Sequence, residues 1–599
     1  MTNLDVPKEI VAVGGKAAKE TWGSDVIADT VKALGYRYIA LVPGSSYRGL
    51  HDSLVNHLGN RDPEMIVCLH EEHAVSIADG FSRVAQEPMA VALHSNVGLM
   101  HATMTIYNAW CDRRPMLILG ATGPIDAAKR RPWIDWVHTS KDQGALVRPY
   151  VKWDDQPVSA EAAVEAILRA NQITRAQPRG PVYVCLEAEM QETLLDRDVT
   201  VPDVTRFQPP QAPEASADTL AACVELLLKA QRPLLLFGRV SRSQADWDRR
   251  VQLAELLGAT VLTGAQQASC FPTEHPLHPL PIVGEKVMPE ETDLIGRADL
   301  IVSFDWSDLG GFLGGRSGRY QSQRPVDATI VHCSLDGYLA NGWSLDHQAL
   351  AATDLQILAD ADRFTAQLLT ACSTALQGRE WRRAAPAIPA EKHWTASAPT
   401  APEAGAVFNV EQVGFTLSAY ACEHAVTFPR VSFGWPRSAV RARGPLDYLG
   451  KDLGGALGTG PGHCIGAALA LKESGRLSIG VLGDGDFLMG SNALWTASKI
   501  RVPMMIVVVN NRSYYNDEVH QEQVAKTRSR PVENKGVGQQ LDDPAPDILG
   551  IGRAFGFEAN RPATSVEELQ EEIRRGIEIV KAGGRYIIDA QVAPGYSRR

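Results

Sequence analysis

Residues 481–511 read VLGDGDFLMGSNALWTASKIRVPMMIVVVNN. An apolar run, Leu477–Leu482, ends at Gly483, Asp484 and Gly485. A helical stretch follows over 490–500, and a second apolar run, Met504–Val509, ends at Asn510 and Asn511. This is one βαβ unit, which brings the ends of both strands to one edge of a parallel sheet. That edge is where α/β sheets hold ligands. Glycines let the main chain approach a phosphate, and a helix N-terminus favours an anion. Asp484 and Asn511 place hard oxygen donors at one point, and Ser513 adds its backbone carbonyl. Such donors beside phosphate oxygens suit Mg2+ or Ca2+. Gly-Asp-Gly alone is a common turn. It gains meaning from the Asn-Asn pair, with 24 residues separating Gly485 from Asn510.

The same alternation of strand and helix runs outward along the chain. A first series has strands at Tyr38–Val42, Met65–Leu69, Met89–Leu93, Leu117–Leu119 and Val182–Leu186, with an opening helix that Ser24 caps and Gly35 stops. A second has Leu234–Phe237, Thr260–Leu262, Leu300–Phe304 and Thr329–Cys333. A third has His424–Phe428, Leu477–Leu482, Met504–Val509 and Tyr586–Ala590. Two joints rich in proline, Val201–Pro213 and roughly 376–405, read as extended linkers. The expected fold is α/β, with three doubly wound parallel-sheet domains over 1–200, 214–375 and 406–599 and a linker over 376–405.

With 599 residues the chain has mass for several cores. Its net charge of −11 argues against a nucleic-acid partner. The longest apolar runs are too short to cross a bilayer. The opening MTNLDVPKEI lacks an apolar stretch, so no secretory leader is expected. Nine scattered cysteines without a Cys-x-x-Cys pair point to a reducing, cytoplasmic compartment.

Gly-Asp-Gly followed by Asn-Asn at this distance resembles the thiamine diphosphate motif. The resemblance implies a carboxylate far upstream, against the aminopyrimidine ring. In LHEEHAVSIADG, residues 69–80, Glu71 directly follows a strand and takes that place, with Glu72 next in line. By itself Glu71 is also a helix N-terminal acid favoured by the macrodipole. Over nearly its whole length the chain is similar to the thiamine diphosphate-dependent decarboxylases and carboligases. Their pyrimidine-binding, central and diphosphate-binding domains follow in that order.

The local motifs sit nearest the benzoylformate decarboxylase group. VPGS over 42–45 resembles its loop with a substrate-binding serine, here Ser45. LHS over 93–95 resembles its loop with an active-site histidine, here His94. RPYVKW (148–153), RGPVY (179–183) and ALWTA (493–497) follow its pattern. FPTEHP (271–276) offers His275 as a second histidine, against a reading as a turn residue. His73, His101 and His278 read as satisfied or solvated. Leu457 stands where the family places a bulky apolar side chain under the cofactor.

The likeness further assigns Gly483, Asp484, Gly485, Asp486, Asn511, Ser513, Tyr514 and Ser432 to the cofactor, with Asp484, Asn511 and Ser513 on the metal. There are departures. Asp486 replaces a small residue, Val431–Val440 carries only Ser432 as an obvious hydroxyl, and Asp517 and Glu518 add acids after Asn511. Either acid is expected to face the reacting group from a helix or mobile loop.

The implied enzyme is a thiamine diphosphate- and Mg2+-dependent lyase or carboligase. It would act on a 2-oxo acid or 2-hydroxy ketone through a C2 carbanion/enamine, with His94 moving protons and Ser45 binding substrate. Acetolactate synthase-like and 2-hydroxyacyl-CoA lyase-like chemistry stays open, as does a non-catalytic paralogue. FAD is not expected, because 215–375 shows no convincing glycine fingerprint. A homodimer or homotetramer is expected, with Glu71 of one subunit meeting Asp484 of another.

Overall fold

The computed structural model describes residues 20–284, 287–315, 326–338, 342–344, 349–378 and 407–595. The first sheet contains β1 (Tyr38–Leu41), β2 (Glu64–Val67), β3 (Met89–Leu93), β4 (Met116–Thr122), β5 (Asp154–Asp155) and β6 (Pro181–Glu187), in the order β2-β1-β3-β4-β6-β5. The second contains β7 (Pro233–Phe237), β8 (Thr260–Thr263), β9 (Leu300–Phe304), β10 (Thr329–Cys333) and β11 (Leu355–Ile357), in the order β11-β10-β9-β7-β8. The third runs β12 (Val426–Thr427), β13 (Leu477–Gly483), β14 (Met504–Asn510) and β15 (Arg585–Gln591) in sequential order. All pairs in these three sheets are parallel. The architecture is thus α/β, with three parallel-sheet domains.

Parallel strands are covered on both faces, so they read as unbroken apolar runs. All seven residues of β14, MMIVVVN, are buried. Each fully buried valine or isoleucine there contributes about 1.5–3 kcal/mol. Val481, Val507 and Ile588 of three neighbouring strands share one core with Val413 and Leu417 of the helix Val410–Glu423 and Leu569 and Ile573 of the helix Val566–Lys581.

The chain divides into two compact units. One comprises Met1–Ser82 with Glu87–Pro210 and holds the first sheet; the other comprises Arg83–Gln86 with Gln211–Arg599 and holds the second and third.

Several expectations shift in detail. Ser24 is not a cap: the first helix spans Gly23–Ala33, and the Asp25 carboxylate accepts the Trp22 N–H at 2.9 Å. Ser24 lies within the helix and accepts a hydrogen bond from Ser53 Oγ at 2.8 Å. The single helix expected over 490–500 is two short ones, Asp484–Gly490 and Ala493–Lys499. The stretch from Val201 is not a bare spacer, because Val201, Val204 and Phe207 pack against a small core of Val26, Val164 and Leu168. Of the other joint, residues 379–405 lie outside the described residues.

Candidate active site

A cavity of about 210 Å3 opens at the ends of β13 and β14 in the second unit. Ser432, Leu457, Gly483, Asp484, Gly485, Asp486, Asn511, Ser513, Tyr514 and Asp517 all line it. β13 delivers Gly483 and Asp484, and β14 delivers Asn510 and Asn511, as neighbouring strands paired through Gly483 and Val509. The Ser513 N–H donates to Asp484 Oδ2 at 3.2 Å and to Asn511 Oδ1 at 3.0 Å. One amide hydrogen therefore draws a carboxylate oxygen and an amide oxygen together. Arg512, at φ +59°, makes the turn that allows this. Asp484 Oδ1 accepts the Gly485 N–H at 2.9 Å. Burial pushes the Asp484 carboxyl up to about 6, against the pull of these N–H groups. Among the described residues no basic side chain forms an ion pair with it. Gly485 is needed as glycine, because a Cβ there would lie 2.5 Å from Tyr514 Cε1.

Asp486 occupies its oxygens structurally. Oδ1 accepts the Gly458 N–H at 2.7 Å, and Oδ2 faces Arg430 Nε at 3.1 Å. Arg430 also pairs with Asp452 and lines the cavity. Asp486 thereby anchors the loop that carries Leu457, whose side chain is 40% exposed on the cavity wall. The sequence reading missed Arg430; its signal was a cation just after a strand, one residue before the stretch read for hydroxyls.

The two acids after Asn511 part company. Both begin the helix Tyr515–Thr527, yet Asp517 lines the cavity, whereas Glu518 is buried and accepts a hydrogen bond from the Ser513 hydroxyl. The segment from 528 to 546 folds back on residues 512–514. The Leu541 N–H donates to Arg512 O at 2.7 Å, the Tyr514 N–H donates to Gln539 O at 2.9 Å, and Ser513 bridges Gln540.

In the first unit, strand order reverses between β1 and β3, the topological position where α/β sheets open a crevice. The turn after β1 carries Ser45 and Ser46, and the turn after β3 carries His94. Ser45 is half-buried, and Ser46, which the sequence reading passed over, is buried against His94 Nδ1 at 2.8 Å. His138 sits edge-on to the His94 ring at 4.9 Å. Burial, with His138 next, lowers the His94 pKa, while Glu71 opposes the shift.

Glu71 opens the helix Glu71–Ala85 and is buried. His101 Nδ1 lies 3.0 Å from Glu71 Oε2 and stacks on His70 with centroids 4.7 Å apart. So His101, expected only to be satisfied or solvated, holds the candidate catalytic carboxylate. Ligand atoms of His70, Glu71 and His101 lie within 4.8 Å of one another. Gly98 leaves room for Glu71, since a Cβ there would be 3.2 Å from Oε1. The buried Tyr47 hydroxyl has no hydrogen-bond partner among the described residues.

His275 does not line the cavity. Its Nδ1 accepts the Leu277 N–H and its Nε2 meets Glu255 Oε1, each at 3.2 Å, which is the arrangement of a turn histidine.

Three family models match the chain: the N-terminal TPP binding domain of thiamine pyrophosphate enzymes over residues 21–146, their central domain over 220–368 and their C-terminal TPP binding domain over 432–590. The chain belongs to the thiamine pyrophosphate enzymes. It is 26% identical to the benzoylformate decarboxylase of Pseudomonas aeruginosa over 524 residues, covering 86% of this chain and 90% of the relative. It is 23% identical to a probable acetolactate synthase large subunit of Methanocaldococcus jannaschii over 587 residues, covering 96% and 92%. Its fold matches the structure of the thiamine diphosphate-dependent 4-hydroxybenzoylformate decarboxylase of Rhodococcus jostii, with a TM-score of 0.75 at 21% identity over 96% of this chain and 100% of that one.

The cavity of this thiamine pyrophosphate enzyme fits the cofactor on its own observations. The buried Ser432 hydroxyl lines it and has no hydrogen-bond partner among the described residues. Asp452, Asp484, Asp486 and Asp517 line it against Arg430 and Lys451, so acids outnumber bases and a divalent cation would favour a diphosphate there. Asp484 and Asn511 offer that cation the hard oxygens it prefers. No described helix is long and apolar enough to cross a membrane.

Proposed function

We propose that the chain is a thiamine diphosphate-dependent lyase or carboligase that requires Mg2+, or Ca2+ in its place. It acts on a 2-oxo acid or a 2-hydroxy ketone in the cytoplasm, as a homodimer or homotetramer. The observation that carries the reading is the convergence of Asp484 Oδ2 and Asn511 Oδ1 on the Ser513 N–H. The names of the relatives, benzoylformate decarboxylase and acetolactate synthase, support the substrate class.

Bound thiamine diphosphate supplies a nucleophilic carbon and an electron sink for cleaving or forming a carbon–carbon bond. Asp484, Asn511 and the Ser513 carbonyl hold the cation. Ser432, Gly483, Gly485 and Tyr514 surround the diphosphate, with Arg430 added from the structure, and Leu457 presents an apolar wall. Glu71 serves the aminopyrimidine, its Oε2 steadied by His101. His94 meets the substrate carbonyl and Ser45 its carboxylate. Asp517 borders the substrate end of the cavity. The pyrimidine-binding half of one subunit meets the diphosphate-binding half of another.

Calorimetry tests the reading. Thiamine diphosphate should bind with Mg2+ present and fail to bind in EDTA. A substrate screen with benzoylformate and pyruvate then assigns the donor. Tight binding in EDTA would overturn the metal assignment, and no turnover of any 2-oxo acid or 2-hydroxy ketone would overturn the reaction class.

A further inference from the structure

We infer that Ser46 is a positioning residue that fixes His94 in the tautomer with its proton on Nε2, so that the ring meets the substrate carbonyl as a hydrogen-bond donor. The inference rests on the role proposed above for His94 and refines it.

The argument is an account of one buried hydroxyl. Ser46 is 1% exposed. Its Oγ has two neighbours: the Ser95 N–H, which donates to it at 3.1 Å, and His94 Nδ1 at 2.8 Å. Accepting from the amide leaves the hydroxyl hydrogen to be placed. Among the described residues its acceptor is His94 Nδ1. Leaving that hydrogen without an acceptor would cost about 1–3 kcal/mol. A ring that accepts at Nδ1 and is neutral carries its proton on Nε2.

The ring is held neutral by its surroundings. Burial, the His138 ring and the Arg131 charge all disfavour imidazolium, and Glu71 is the group that favours it. No backbone group competes for Nδ1 in the described hydrogen bonds.

The hydroxyl is itself fixed from behind. The Ser46 carbonyl accepts from Gln191 Nε2 at 3.1 Å. Gln191 cannot flip, because Oε1 accepts the Leu50 N–H at 3.2 Å and Nε2 also donates to Leu186 O at 3.3 Å. From the front, Gly44 lets the turn close on the ring: a Cβ there would lie 2.4 Å from His94 Cβ and Cγ. Ser95 sits at φ +41°, a left-handed conformation for a non-glycine residue, and that strain brings its N–H onto Ser46 Oγ. Two adjacent serines thus differ in task. Ser46 turns to the ring, and Ser45 takes no part in this contact.

A ring protonated at Nε2 stabilises negative charge gathering on the carbonyl oxygen without first becoming cationic. It cannot accept a proton at Nε2 while Ser46 donates to Nδ1. The same Ser46 oxygen can accept from Nδ1 if the ring is later protonated.

Solid-state 15N spectra of the full-length enzyme labelled at histidine read the tautomer directly. The His94 signals are assigned by difference from His94→Gln. In the wild-type enzyme at neutral pH the expected pattern is protonated Nε2 and unprotonated Nδ1, with or without cofactor and Mg2+. Ser46→Ala should mix the tautomers and lower kcat about 10- to 100-fold with KM little changed. Ser46→Thr, which keeps the hydroxyl, should restore both. A wild-type ring protonated on Nδ1, or an unchanged pattern in Ser46→Ala, overturns the inference. The wild-type spectrum decides the case even if Ser46→Ala fails to fold. Full turnover by His94→Gln would instead overturn the role of His94 and leave the tautomer result standing.

Discussion

The proposed diphosphate end and the proposed pyrimidine end of this enzyme are organised by different kinds of bond. At the edge of β13 and β14 the main chain does the arranging: the Ser513 N–H gathers Asp484 and Asn511, and the Gly485 N–H fixes the other Asp484 oxygen. At the reversal between β1 and β3, side chains arrange side chains. Ser46 meets His94 across 48 positions, and His101 meets Glu71 across 30. Main-chain arrangement ties function to short-range spacing, while side-chain arrangement ties it to a fold that must form first. The first depends most on Asp484, Asn511 and Gly485 between them, whereas the second is open to tuning one contact at a time.

The largest effect expected is at the pyrimidine end. Glu71→Gln keeps the shape and loses the ionisable group, so exchange of the thiamine C2 proton for deuterium should slow by about 10²–10⁴-fold, the worth of a positioned acid or base. Cofactor affinity from calorimetry should hardly move. Wild-type exchange in this variant would pass the role to Glu72 and break the contrast drawn here.

Next is the diphosphate end. Asp484→Ala removes the carboxylate proposed to hold the cation. Mg2+-dependent thiamine diphosphate binding should weaken by about 3–5 kcal/mol, the cost of leaving a buried charge without its partner. Calorimetry with unchanged affinity would sink the metal assignment. The two ends should therefore separate cleanly, one variant losing chemistry and the other losing cofactor.

A pH experiment sharpens the comparison without any ligand. Burial lowers both His73, in the first unit, and His278, in the second, to about 4. Each is neutral when folded and takes up a proton on unfolding below its ordinary value of about 6.5. Stability is therefore fully present above that value and is lost as pH falls toward 4. His278 donates to or accepts from Thr263 Oγ1 at 3.0 Å through Nε2, and its Nδ1 has no partner among the described residues. His278→Gln should shrink the loss in unfolding free energy between pH 7 and pH 5 by about 2 kcal/mol. Denaturant curves at the two pH values check this, and an unchanged difference would mean the group is not neutral when folded.

The smallest effects expected are in the helix that starts at Tyr515. Asp517→Asn, on the cavity wall, should alter the ratio of carboligation to decarboxylation a few-fold. Glu518→Gln should leave that ratio alone and cost about 1–2 kcal/mol of stability, because it weakens a buried hydrogen bond to the Ser513 hydroxyl. Product analysis beside thermal unfolding separates the two outcomes. Equal product ratios in both variants would confine selectivity to Ser45, His94 and the cavity walls.

These contrasts explain what could be read from the letters. β3, β9 and β10 begin and end where the apolar runs do, because a buried parallel strand stops when its side chains turn polar. Asp484 and Asn511 were legible since each follows its strand directly. Ser46 was not, because a serine pair offers no local reason to choose the second over the first. His101 was not, because a histidine six residues into a small-residue helix looks solvated until the helix is set beside Glu71. Asp517 and Glu518 are neighbours in sequence, and only the 100° turn of a helix per residue sends one to the cavity and the other to Ser513. Trp22 displaced Ser24 as the helix cap because Asp25 reaches back to the free N–H more effectively than a hydroxyl placed inside the helix.

The Asp486 carboxylate acts as a strut. It joins the turn after β13 to a loop 28 positions earlier, holding Gly458 on one oxygen and Arg430 on the other. Leu457 is therefore carried at a height set by the register of a central strand and not by the length of its own loop. Lys451, Asp452, Leu453 and Gly455 of that loop line the cavity as well, and Asp452 pairs with the same Arg430. The departure from a small residue at this position makes the floor part of the sheet's rigid frame.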